Sequence, residues 1–203
     1  MKKLLPALVV IGALTLAGCS AADQAAAPAP SVTSATTSAP DTSDAAVQGV
    51  LATAALQGKD TAQVIAALET STDDKQSGPA GSVRYDQLVL STADAKVAMP
   101  IPADKFYLSV APYVNRTHDC YYHSLATCQG ELANTTVHVT ITDAAGATLV
   151  DEDTTLHANG FAGFWLPRDI QGTLTVTYDG KQATTPIATG KDDPTCLTTL
   201  KLA

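Results

Sequence analysis

In the segments from Ser82 onward the apolar side chains recur at every second position, in short runs divided by turn residues. That period constrains the fold more than any other feature of the chain. Successive side chains of a strand point to opposite faces, so alternation puts one face on a core and the other in solvent. Val83, Tyr85, Leu88 and Leu90 read as a strand or hairpin, and Val97 to Ile101 as another, stopped by Pro100 and Pro102. Phe106 to Val110, Val137 to Ile141, Thr148 to Val150 and Gly160 to Pro167 continue the series. Leu174 to Tyr178, Gln182 to Ala188 and Cys196 to Leu202 complete it. Gly146 turns one pair, and Asp179-Gly180 is a two-residue hairpin signal. Many short strands with turns between them predict an antiparallel sandwich.

Before Ser82 the period is three to four. Val47, Val50, Leu51, Ala54 and Leu56 mark one helix, and Val64, Ile65 and Leu68 a second, with Asp60 or Thr61 at its cap. Gly58 divides the two, and the polar stretch Ser71 to Gly81 closes the helical part. Helices this short cannot enclose a core, so they must pack on another element. The expected class is therefore α+β: a small N-terminal helical segment packed on or beside a mainly antiparallel β-sandwich-like domain. The expected boundaries are 46–99 for the first part and 100–203 for the second. No internal repeat, P-loop or dinucleotide fingerprint is present.

Residues 1–18 have the layout of a secretory leader: Lys2 and Lys3, an apolar run from Leu4 to Leu16, and small residues at the cut. The run is too short to span a bilayer comfortably, which takes about 20 apolar residues. Leu16-Ala17-Gly18-Cys19 resembles the lipobox of bacterial lipoproteins. The resemblance implies diacylglycerol on the Cys19 sulfur, removal of 1–18, and a lipid-anchored protein on the outer face of the cytoplasmic membrane. Residues 20–45 are almost all Ala, Ser, Thr, Pro and Asp, with little to bury, so 19–45 is expected to be a flexible tether. Losing Lys2 and Lys3 takes the formal charge from −8 to −10. Such a charge argues against nucleic acid as a partner, and against docking on anionic lipid by any means but the anchor.

Metal-type ligands concentrate in one stretch, His118-Asp119-Cys120-Tyr121-Tyr122-His123-Ser124-Leu125-Ala126-Thr127-Cys128, a loop between two strands. Cys196 stands far away in sequence. The chain has four cysteines, and lipidation uses Cys19, which leaves Cys120, Cys128 and Cys196. Three thiols cannot all pair within one molecule. Three thiolates suit a soft cation, and Cu(I) prefers sulfur. His118 and His123 would add nitrogen, which suits Cu(II) or zinc, although the spacing is not that of a zinc finger. Two thiolates can also reduce an oxidised metal and end as a disulfide. The alternative without metal is a surface interaction domain, with a structural Cys120–Cys128 disulfide closing a small loop and Cys196 buried. Catalytic acyl transfer is not supported, since Ser124 beside His123 in sequence is not triad geometry. His138, between Val137 and Val139, is expected at the surface, as is His157. Met99 is expected to pack.

At these residues the chain resembles CueP, a family of bacterial envelope copper-binding proteins. The resemblance runs through Phe106-Tyr107-Leu108-Ser109-Val110-Ala111-Pro112-Tyr113 to His118, then Cys120 to Leu132, Asn159 to Asp169, and Asp193-Pro194-Thr195-Cys196-Leu197-Thr198-Thr199-Leu200. It implies copper sequestration or delivery, with Cys120, Cys128 and Cys196 as the ligand set and His118 and His123 beside them. Delivery to an envelope cuproenzyme such as a Cu,Zn superoxide dismutase belongs to the same implication; the sequence leaves the oligomeric state open, a homodimer included. The lipobox departs from soluble periplasmic members and points to a tethered holder of copper rather than a mobile carrier.

Overall fold

The computed structural model describes residues 39–70 and 78–203. Helix α1 spans Asp44–Ala52 and buries Val47, Val50 and Leu51. Beyond it Ala55 and Gly58 take positive φ, 54° and 73°, so the helical path cannot continue. Helix α2 spans Thr61–Thr70. Its start is a reciprocal cap: Gln63 N donates to Asp60 Oδ1 at 2.8 Å and Asp60 N donates to Gln63 Oε1 at 3.1 Å. Asp60 is thus the cap, while the Thr61 hydroxyl turns to the Pro100 carbonyl at 2.8 Å.

The first sheet is antiparallel, in the order β1 (Ala80–Val83), β2 (Gln87–Ser91), β3 (Lys96–Pro100). Both helices lie against it. Val50, Leu51, Val64 and Ile65 share a core with Leu88, Leu90, Val97 and Met99. Ile101, Tyr107 and Leu125 belong to that same core, so it reaches past residue 99. Met99 packs there, as its sequence context suggested. The chain also joins this sheet earlier than a tether ending at 45 would allow. Asp41 N donates to Lys96 O and its carbonyl accepts from Ala98 N, both at 2.9 Å. The leader, Cys19 and the tether up to residue 38 lie outside the described residues.

The second sheet has β4 (Lys105–Val110) at its centre, antiparallel to β7 (Ala162–Pro167) and parallel to β10 (Cys196–Leu197). The third runs β6 (Thr148–Thr155), β5 (Thr136–Asp143), β8 (Gln171–Tyr178), β9 (Lys181–Ala188), every pair antiparallel. One core joins these two sheets: Phe106, Leu108, Phe164 and Leu166 meet Val137, Val139, Ile141, Leu174 and Val176. The period-two reading is visible in β5, where Val137, Val139 and Ile141 are buried and His138 is exposed. Asp179 and Gly180 both take positive φ, 49° and 73°, as the tight hairpin between β8 and β9 requires.

The expected strand from Cys196 to Leu202 is shorter. Only Cys196 and Leu197 are paired as strand, with an isolated bridge from Lys201 to Tyr113. The physical reason lies in Thr198, whose carbonyl accepts from the Thr117 hydroxyl and whose hydroxyl donates to His118 O, both at 2.6 Å, so beyond Leu197 the segment bonds the cysteine loop instead of a neighbouring strand.

Candidate metal centre

The loop between β4 and β5 is held from three sides. Val83 N donates to His123 O and Leu125 N to Gly81 O, both at 2.9 Å, so residues 123–125 extend the edge of β1. Gly81 is a glycine for a local reason: a Cβ there would lie 2.8 Å from the Leu125 side chain. The terminal segment grips the loop next. Cys196 N donates to Tyr121 O at 3.1 Å, His123 N to Thr195 Oγ1 at 3.0 Å, and Thr198 Oγ1 to His118 O at 2.6 Å. Thr117 Oγ1 returns a bond to Thr198 O at 2.6 Å. The third side is the turn before β7. Gly130 N donates to Asn159 O at 2.6 Å, and a Cβ on Gly160 would come within 2.6 Å of the Gly130 backbone. Only two glycines allow this approach, and Gly160 also has φ +78°. It brings Phe161 into one small core with Cys128, Cys196 and Ala111, and Cys120 packs on it.

A disulfide joins Cys120 to Cys196, with Cα atoms 5.6 Å apart. Cys128 is a buried free thiol, and its sulfur lies 3.4 Å from that of Cys120. This corrects the alternative of a Cys120–Cys128 disulfide with Cys196 set apart. Parallel pairing of β10 with β4, Cys196 opposite Ser109, carries Cys196 beside the loop. Proximity along the chain therefore does not decide the pairing.

The donors form two overlapping groups, His118 with Cys120 and Cys128, and His123 with Cys128 and Cys196. Within each, the ligand atoms all lie within 4.8 Å of one another. Cys128 is common to both. His118 and Cys120 are half-buried, whereas all three members of the second group are buried. The Phe161 ring packs on both imidazoles, 6.0 Å from His118 and 4.8 Å from His123 between centroids. His118 Nε2 is buried and has no hydrogen-bond partner among the described residues. Buried nitrogen without a partner is rare in folded proteins and calls for one, a water or an ion. A cleft of about 510 Å³ lies beside it, lined by residues that include Arg116, His118, Gln129 and Glu131.

His123 is fixed by a residue that the sequence reading passed over. Glu69, in the last turn of α2, is buried, and His123 Nε2 lies 2.9 Å and 3.1 Å from its two carboxylate oxygens. Asn159 Nδ2 donates to the same carboxylate at 2.7 Å and the Tyr107 hydroxyl at 3.3 Å. Burial by itself would raise the Glu69 carboxyl, but His123 and the Asn159 amide hold it below its ordinary value. Burial would lower His123, but the Cys128 sulfur and the Glu69 carboxylate push it up to about 9. With Nε2 taken by Glu69, Nδ1 is the nitrogen left facing sulfur, 3.7 Å from Cys196 Sγ. Two signals for Glu69 stood in the sequence. It is four residues after Ile65, on the buried side of α2, and an acid in a last helical turn opposes the helix dipole unless a partner holds it.

Of the other histidines, His138 lies on the exposed face of β5, bonded to Asp153 and Asp151 at 2.9 Å and 3.0 Å, away from the sulfurs. His157 is half-buried and outside both donor groups.

The family model described as periplasmic copper-binding protein CueP matches residues 63–201. The chain belongs to the CueP family. Among solved structures, the crystal structure of S.CueP is 41% identical to this chain, with a TM-score of 0.74. The match covers 77% of this chain and 97% of that one. No curated protein matches. The CueP match takes in Glu69, both histidines and the three clustered cysteines, and leaves out Cys19 and the tether.

Proposed function

We propose that this chain binds copper in the cell envelope, where it sequesters the ion or delivers it. Cu(I) is the preferred ion, held on the reduced sulfurs of Cys120, Cys128 and Cys196. The observation that carries the reading is the cluster itself: three sulfurs, two of them 76 residues apart, gathered between two imidazoles inside the stretch matched by the family. Soft thiolates suit Cu(I), and the imidazoles of His118 and His123 leave room for Cu(II) or zinc. The unpartnered Nε2 of His118 fits this donor set, because a metal would satisfy it.

The Cys120–Cys196 disulfide gives the resting form, and reduction is the condition for loading. The same pair can act as a reductant. Two thiolates give one electron each to two Cu(II) ions, the products being two Cu(I) and the disulfide. Repeated turnover needs an external thiol reductant, so the reduction accompanies binding rather than defining an enzyme. Cys19 with its lipid would keep the site near the outer face of the cytoplasmic membrane. That favours a holder of copper or a supplier of a nearby cuproenzyme client, as a monomer or homodimer. We read the two sheets sharing the Phe106 core as sandwich-like, and residues 46–99 as the smaller part that supplies Glu69.

The test is titration of the reduced protein with Cu(I) against a competing chelator, repeated with Cys120→Ser, Cys128→Ser and Cys196→Ser. Each substitution should abolish tight binding. Unchanged affinity in Cys196→Ser would reject the three-sulfur site.

A further inference from the structure

The two donor groups share one sulfur and differ in access, and those two facts together suggest a path. The outer group, His118, Cys120 and Cys128, has two half-buried members, and His118 lines the cleft. The inner group, His123, Cys128 and Cys196, is buried throughout. An ion arriving from solvent reaches His118 before it can reach His123, and the Phe161 ring packs against both.

The two imidazoles are also prepared differently. No described residue bonds His118 Nε2, so that ring is held by packing on Phe161 and has no polar tie at this nitrogen, while its backbone carbonyl accepts from the Thr198 hydroxyl at 2.6 Å. His123 is held by Glu69 at Nε2 and by Thr195 at its backbone N–H, with Nδ1 turned to the sulfurs. A carboxylate on the far nitrogen fixes ring orientation and raises the basicity of the ligating one. A loosely held ligand suits capture, and a rigid one suits retention.

We propose that the two groups are successive stations for one copper ion, with Cys128 as the sulfur common to both. The inference rests on the copper reading above. Cu(I) is captured by His118, Cys120 and Cys128, then passes inward while it stays on Cys128. In the handover the bond to His118 breaks as bonds to Cys196 and His123 form, and the ion comes to rest on the three sulfurs with His123. One imidazole leaves, and one thiolate and one imidazole arrive; the proton on His123 Nδ1 passes to the vacated His118, that of the Cys196 thiol goes to solvent, and no electron changes place. The shared sulfur means the ion is never released. The disulfide controls both stations at once, because Cys120 belongs to the outer group and Cys196 to the inner. Glu69 is the positioning residue of the inner station.

Affinity and rate separate the stations. The full-length reduced protein is mixed with the bicinchoninate complex of Cu(I), and the loss of chelate colour gives a transfer rate and an equilibrium affinity. His118→Ala should slow transfer about tenfold while leaving the affinity within about threefold of wild type. Glu69→Gln, which leaves every ligand in place, should lower the affinity about tenfold at an unchanged initial rate. His123→Gln should act like Glu69→Gln, and far-UV circular dichroism with urea midpoints checks that each variant folds. Equal losses of affinity in His118→Ala and His123→Gln would show one mixed site and overturn the two stations. An unchanged transfer rate in His118→Ala would overturn them as well. A wild-type protein that takes no copper from the chelate refutes the copper reading itself, a result distinct from either of those.

Discussion

Replacing Glu69 by alanine tests whether the buried polar group under the sulfurs is part of the fold as well as of the site. The carboxylate accepts bonds from His123, Asn159 and Tyr107, all buried. Alanine would strand an imidazole, an amide and a phenol with no acceptor. One unsatisfied buried group costs about 1–3 kcal/mol, and removing one partner of a buried ion pair about 3–5 kcal/mol. The three costs are not additive, since His123 can relax by losing its proton. We expect a loss of about 3–4 kcal/mol for Glu69→Ala at neutral pH, a large share of the roughly 5–15 kcal/mol available to a domain. Glu69→Gln keeps a carbonyl acceptor and should cost about 1–2 kcal/mol. The assay is urea unfolding of the metal-free, disulfide-intact protein, compared at midpoint with a constant slope. The gap between wild type and Glu69→Ala should depend on pH. Glu69 sits below its ordinary 4.5, so its contribution is present above that value and fades as the pH falls. His123 sits at about 9 against an ordinary 6.5, so its contribution is complete below 6.5 and is lost as the pH rises through 9. The gap is thus widest between about 4.5 and 6.5. A Glu69→Ala protein within about 1 kcal/mol of wild type across that window would refute the reasoning.

Gly160→Ala should destabilise the protein by at least about 1–3 kcal/mol, because it combines positive φ with a Cβ pressed on Gly130, and copper affinity should fall with it as Phe161 shifts; wild-type melting and binding would show the glycine pair is not needed. Glu131 accepts bonds from Asn115 and Val114 backbone N–H groups, which hold its carboxyl at about 2 against an ordinary 4.5. Its contribution to stability is present above 4.5 and lost as the pH falls through 2, so carboxyl resonances in an NMR titration should show one glutamate titrating near 2, absent from Glu131→Gln. Cys19→Ala should release the protein from membranes or leave it unprocessed, read by fractionation and mass, and normal size with membrane attachment would remove the anchor.

β1, β5, β7 and β8 follow the period of two, and α1 and α2 the longer period, because burial of one face is a local property written residue by residue; β2, β3 and β4 instead bury consecutive side chains. Asp60 and Asp179-Gly180 were legible for the same reason: a cap and a tight hairpin are decided within a few residues. His138 was placed on the surface by its neighbours alone. The terminal strand is shorter than its sequence suggests because the loop residues Thr117 and His118 take the carbonyl and hydroxyl of Thr198.

The donor types were also in the sequence. An odd number of thiols beside two histidines restricts the chemistry whatever the fold, since the softness of sulfur belongs to the side chain. What only the tertiary structure decided is which of these residues meet. Cys196 reaches Cys120 because β10 lies parallel to β4, and Glu69 reaches His123 because α2 packs beside the first sheet, with Tyr107 of β4 in the same core. Both contacts span a large sequence separation, and no local period encodes them. They follow from how the separate faces, each specified by its own sequence, find room to be buried together.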